Sequence, residues 1–106
     1  MMDAVYLIGE AGNDGVYKIG RTSSGAAGRM KQLQTGNPEE LYVREAFETK
    51  TPVRLEQMLH QRFANSNLMN EWFSLTEDEA GSFLQTCQKL QDCIDSLKDN
   101  PFYKAY

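Results

Sequence analysis

Val16-Tyr17-Lys18-Ile19-Gly20-Arg21-Thr22 is the stretch on which the reading of the chain turns. Val16 and Ile19 favour a strand, and Gly20, lacking a Cβ, lets that strand end in a sharp turn. Thr22, Ser23 and Ser24 are good helix N-caps, and the apolar positions after them change to helical spacing. Two cations, Lys18 and Arg21, stand at this strand-to-helix junction. Positive charge beside a helix N-terminus makes a phosphate site, but it is equally the ordinary dress of a solvated strand end. The heptad alone leaves both readings open.

Working outward, Ala4–Gly9 (AVYLIG) is a short apolar strand, and Gly12-Asn13-Asp14-Gly15 is rich in turn formers. The run therefore returns as a hairpin into Val16–Gly20. Pairing Ile8 with Val16 sets Tyr6 opposite Lys18 on one side of the sheet. In the other direction, Ser24–Gln34 reads as a helix with Ala26, Met30 and Leu33 as its apolar stripe and Arg29 on the shoulder. Gly36-Asn37-Pro38 stops it, and Leu41–Phe47 alternates as a strand. Thr51-Pro52 opens a helix with proline at its first position, whose buried face is Leu55, Met58, Leu59 and Phe63. Asn70–Leu75 is an aromatic strand. Thr76 and Glu79 form a capping box ahead of a final helix. That helix carries a stripe of Ala80, Phe83, Leu84, Cys87, Leu90, Ile94 and Leu97. Asn100-Pro101 closes it before an aromatic tail, Phe102–Tyr106. The order β-β-α-β-α-β-α predicts one α+β domain over residues 1–106, a small antiparallel or mixed sheet of three or four strands flanked by helices.

Composition sets the bounds. A chain of 106 residues, 41% hydrophobic and 25% charged, has the proportions of one globular domain. It has neither an apolar run of membrane-spanning length nor a basic-then-apolar leader, which predicts a soluble, cytoplasmic protein. Cys87 and Cys93 fall on one helix about 9 Å apart along its axis, beyond the roughly 7 Å that a disulfide spans. Residues 1–62 hold eight basic and eight acidic side chains, whereas residues 63–106 hold three basic and seven acidic, 3 − 7 = −4. A nucleic-acid role normally goes with a basic balance, and this chain has none.

Taken singly, the polar residues have structural explanations. Glu56 is a helix carboxylate that shares a flank with His60, four residues on. Arg29 can cover the core edge with its methylenes, and Trp72 can anchor the core. Taken together they offer more. A tyrosine and a lysine face each other on a hairpin, with an arginine on the next helix and a carboxylate on the one after. Those groups provide a proton acceptor, phosphate-neutralising cations and a hard-metal ligand.

Ala4-Val5-Tyr6, eleven intervening residues, then Lys18-Ile19-Gly20 resembles the paired motif of the GIY-YIG nuclease superfamily. YKIGRT, Arg29 eleven residues after Lys18, E-x-x-x-H at Glu56 and His60, and EWF at Glu71–Phe73 resemble its small branch from phages and large viruses. The resemblance spans roughly residues 4–75 and implies a GIY-YIG-like fold with one-metal hydrolysis of phosphodiesters. It implies Tyr6 as the group that activates water, Arg29 as the holder of the scissile phosphate, and Glu56 as the ligand of one Mg²⁺ or Mn²⁺. Asn70 would be the late asparagine near the site. Two positions depart from the pattern. Ala4 replaces the first glycine, and Lys18 stands where the second motif has tyrosine, with Tyr17 displaced by one onto the opposite strand face.

The resulting expectation is a DNA endonuclease, with RNA left open, in which Lys18 assists Tyr6 while Arg21 and His60 contact the phosphate or the nucleic acid. The alternative is a non-catalytic module that keeps the fold and grips nucleic acid or a protein, for instance a viral regulatory or counter-defence protein. The acidic C-terminal helix is the candidate surface for a protein partner, and the expected state is a monomer or weak homodimer.

Overall fold

The apolar run near the N-terminus becomes β1 (Ala4–Glu10), and residues 4–9 are all buried. A strand apolar at consecutive positions must be covered on both faces, and this one is. It pairs with β2 (Asn13–Thr22) on one side and β3 (Leu41–Glu48) on the other. The computed structural model describes residues 3–98, so the expected stop at Asn100-Pro101 and the aromatic tail lie outside the described residues. A helix α1 (Ala26–Gln34) joins β2 to β3, and α2 (Pro52–Arg62) follows β3. Two short strands, β4 (Asn67–Met69) and β5 (Trp72–Ser74), precede α3 (Glu77–Gly81) and α4 (Phe83–Lys98). The sheet is open and wholly antiparallel, in the order β3-β1-β2-β5-β4.

Alternation along β1 divides the core in two. Tyr6 and Ile8 face α1, where Ala26, Met30 and Leu33 cover them beside Leu41 and Trp72. Val5 and Leu7 face the other way with Tyr17 and Ile19, under Leu55 and Leu59 of α2 and Phe83, Cys87 and Ile94 of α4. Complete burial of side chains such as Val5, Leu7 and Ile8 contributes about 1.5–3 kcal/mol each. Burial also pushes the Cys87 thiol up to about 12, while Cys93 is exposed and both are free. No helix among the described residues is long and apolar enough to cross a membrane.

The α+β class is as expected, but several details differ. The sheet has five strands, not three or four, because the aromatic segment is a hairpin. Asn70 takes a left-handed turn (φ 53°) between β4 and β5. The first hairpin is out of the expected register: Tyr6 pairs with Gly20, and Ile8 with Lys18. A two-residue turn at Ala11-Gly12 pairs Glu10 with Asn13, and β2 then bulges before Tyr17 meets Gly9. Gly15, at φ 83°, makes the bulge, and Val16 pairs with Ser74 of β5. Strand parity survives the shift, so Tyr6 and Lys18 still share a face.

α1 starts at Ala26, two residues late, because Gly25 sits at φ 87° and Thr22 turns its hydroxyl to the loop. Its Oγ accepts from the Ser24 N–H at 3.1 Å. The capping box at Thr76 and Glu79 forms, but the last helix is interrupted at Ser82, whose hydroxyl donates to the Asp78 carbonyl at 2.6 Å. Leu84, expected on the buried stripe, is 40% exposed.

Two glycines in the first hairpin separate loose packing from tight. A Cβ on Gly9 would come within 2.6 Å of the Tyr42 hydroxyl, but Tyr42 is an exposed ring free to swing aside. A Cβ on Gly20 would come within 2.7 Å of Tyr6 Cζ, and Tyr6 is buried with nowhere to go. Urea unfolding should therefore put Gly9→Ala within about 1 kcal/mol of wild type and Gly20→Ala about 1–3 kcal/mol below it. Equal losses would contradict this packing.

Candidate active site

The site begins where β5 stops. β5 pairs with β2 only at Val16, Tyr17 and Lys18. The Ile19 N–H still donates to the Glu71 carbonyl at 3.0 Å, but the Ile19 carbonyl faces His60 Nε2 at 2.8 Å. From Gly20 onward, that edge of β2 has no strand beside it among the described residues. Side chains of α2, which packs on one face of the sheet, meet there with Tyr6 and Arg29 from the other.

Three consecutive contacts tie this edge to its surroundings. Lys18 Nζ lies 3.1 Å from Glu71 Oε2, the Ile19 carbonyl holds His60, and Arg21 Nη1 lies 2.8 Å from Glu56 Oε1. Glu56 is only 7% exposed, between Leu55 and Leu59 on the buried side of α2. Burying a carboxylate is costly unless it is paired, and Arg21 supplies the pair. A carbonyl only accepts, so Nε2 of His60 carries a proton, and Nδ1 is the nitrogen left for another partner. The Phe73 ring packs on this imidazole at 5.1 Å, and the Lys18 ammonium sits 5.8 Å from the Trp72 ring centroid. Ligating atoms of Glu56, His60 and Glu71 all lie within 4.8 Å of one another. Two carboxylates and an imidazole are a donor set that fits a divalent cation.

Above them opens a groove of about 750 Å³, lined in part by Tyr6, Arg21, Arg29, Glu56 and Glu71. Tyr6 reaches it from the middle of β1, its ring lying over the bare backbone of Gly20. The Arg29 guanidinium lies near its hydroxyl. Burial holds the Tyr6 phenol above its ordinary value of 10, Arg29 pulls it back, and the negative charge of Glu71 adds to the rise.

Of the residues expected at the site, Tyr6, Arg21, Arg29 and Glu56 line the groove. Lys18 stands one contact behind it, through Glu71, and His60 is not among its lining residues. Asn70 is exposed in the β4–β5 turn, where its carbonyl accepts from Asn67 Nδ2 at 2.8 Å. Glu71, quoted only as part of EWF, is the residue that sequence reasoning left without a role. Its signal was its place directly before the aromatic strand that pairs with the lysine-bearing one. Asp3 also lines the groove, and nothing in the sequence marked it. No acidic residue of α3 or α4 lines it.

Residues 3–88 match the T5orf172 domain. The chain belongs to the T5orf172 family. This family is GIY-YIG/homing-endonuclease-like, which suggests a nuclease-like or DNA-binding module. No curated protein and no solved structure matches this T5orf172 chain significantly.

The Tyr6 environment is testable in the free protein. In spectrophotometric titration, the difference between wild type and Tyr6→Phe should be one phenol ionising above pH 10. Arg29→Gln removes the nearby positive charge that lowers it and should move that phenol higher still. A Tyr6 phenol titrating below 10 would contradict the burial described above.

Proposed function

We propose that this T5orf172 protein is a metal-dependent endonuclease that hydrolyses DNA phosphodiester bonds in the groove at the open edge of β2. The observation that carries the reading is the convergence of Tyr6, Arg21, Arg29 and Glu56 on one groove wide enough for a phosphate. Arg29 and Arg21 grip the scissile phosphate and stabilise the extra negative charge of the five-coordinate transition state. Tyr6, with the Arg29 guanidinium nearby, orients the attacking water, and its phenolate takes the water's proton. The water oxygen forms the new P–O bond, the bond to the departing sugar oxygen breaks, and that oxygen is protonated from solvent. Glu56 holds one Mg²⁺ or Mn²⁺, which when bound supplies Lewis-acid stabilisation of phosphate charge.

Charge supports a cation here. Two guanidiniums, Arg21 and Arg29, line the groove with three carboxylates, Asp3, Glu56 and Glu71, and Lys18 on Glu71 brings the balance to 3 − 3 = 0. A groove with no excess of positive charge gains affinity for a phosphate when a dication joins it. Lys18, bound to Glu71, contributes by fixing that carboxylate. This pairing is also what favours the second reading, a nucleic-acid-binding module without cleavage. A lysine engaged with a carboxylate is a poor substitute for a second tyrosine at the water.

Supercoiled plasmid incubated with Mg²⁺ or Mn²⁺ should be nicked by wild type, with loss of about 10²-fold or more in rate for Tyr6→Phe and for Glu56→Gln. The sign of the pH dependence follows from the raised phenol. Only the phenolate accepts the proton, and its fraction grows tenfold per pH unit below its pKa. The rate should therefore rise with slope near +1 from pH 7 to pH 9 without a plateau, and Tyr6→Phe should lose that slope. DNA binding without cleavage in either metal would leave the binding module.

A further inference from the structure

We propose that Glu56, His60 and Glu71 form one metal centre of mixed oxygen and nitrogen character, which takes a first-row transition dication in preference to Mg²⁺. The inference rests on the nuclease reading for what the ion would do, and on the geometry for the ligand set.

The first support is distance. Donors on opposite sides of an ion at about 2.1 Å are about 4.2 Å apart, and one candidate donor atom of each residue already lies within 4.8 Å of the others.

The second support is independent of the first, and lies in what holds the donors. Metal-binding side chains are themselves held by hydrogen bonds that fix their orientation. Here each of the three has such a partner, and all the partners come from four consecutive residues of β2. Lys18 takes Glu71 through Oε2, and Arg21 takes Glu56 through Oε1, so each carboxylate keeps its other oxygen for a further ligand. The Ile19 carbonyl takes the Nε2 proton of His60, the backbone contact by which a metal-bound histidine fixes its tautomer. Ordinary surface ion pairs would not require the histidine between them to be oriented as well.

The ligand types set the selectivity. Mg²⁺ demands oxygen and keeps several waters, whereas transition dications accept imidazole readily and hold it more tightly. Glu56 alone would favour neither. His60 and Glu71 turn a one-carboxylate contact into a centre able to hold its ion before nucleic acid arrives.

The test is paramagnetic resonance of Mn²⁺ with the untagged full chain, a readout that needs no DNA. His60 is the only histidine in the protein, so imidazole nitrogen modulation in the spin echo can come from no other residue. Wild type should bind Mn²⁺ with that modulation, and tenfold excess Mg²⁺ should not displace it. His60→Ala should remove the modulation. Glu71→Gln should weaken Mn²⁺ by about tenfold or more, and Lys18→Met, which leaves all three donors in place, by about tenfold. Should His60→Ala fail to fold, the wild-type spectrum answers by itself. Mn²⁺ bound without nitrogen modulation, or bound equally well by Glu71→Gln while Glu56→Gln abolishes it, would overturn the three-ligand centre and leave the one-carboxylate nuclease standing. Nitrogen-coupled Mn²⁺ in a protein that cuts no plasmid would uphold the centre and remove the nuclease.

Discussion

Where β5 stops pairing, the site starts. Had the ladder continued past Lys18, the Ile19 carbonyl would accept from a strand and His60 would have no anchor there. The turn at Asn70 leads β5 in at Trp72, so Lys18 is the last paired residue of β2 on that side. Beyond it, Gly20 presents bare backbone, and the Tyr6 ring fills the space a side chain would need. One truncated ladder thus admits a tyrosine from one face of the sheet and a carboxylate and a histidine from the other.

This arrangement makes the strand both scaffold and counter-charge. Lys18 and Arg21 each neutralise a carboxylate that would otherwise be costly beside a buried core, and Glu56 is the clearer case because it lies between two fully buried leucines. The same pairs keep the groove from being basic. The chain as a whole, at a net charge of −4, likewise offers no excess of positive charge to a phosphate. The acidic residues of α3 and α4 are busy elsewhere in part. Glu77 pairs with Arg44, which holds its carboxyl below the usual range, while Asp92 and Asp95 accept hydrogen bonds from Gln88 and Gln91.

Much of this was legible in the residues. The consecutive apolar positions of Ala4–Gly9 announced a strand buried on both faces, and the Thr76–Glu79 box marked a helix start that the structure keeps. What the sequence could not carry was register. Gly15 reads as one more turn former, yet its positive φ creates the bulge that slides Tyr6 from Lys18 to Gly20. Local hydroxyls misled in the same way, since Thr22 and Ser24 look like caps but bond to each other and leave Gly25 to open α1. Tyr6, Arg29 and Glu56, which line the groove, each fall at a motif position and so stood out in the sequence. Glu71 escaped because its role exists only through a non-local pairing of β5 with β2, which no local pattern encodes.

The proposed function places nucleic acid at the open edge of β2. It is tested most directly by titrating a short DNA duplex into ¹⁵N-labelled protein in Ca²⁺, and following the backbone amides by NMR. The account expects the largest shifts at Gly20–Arg29, with smaller ones around Glu56 and Glu71. It expects none along the exposed face of α4. Shifts concentrated on α4 or on the β4–β5 hairpin, with Gly20–Arg29 unmoved, would contradict it.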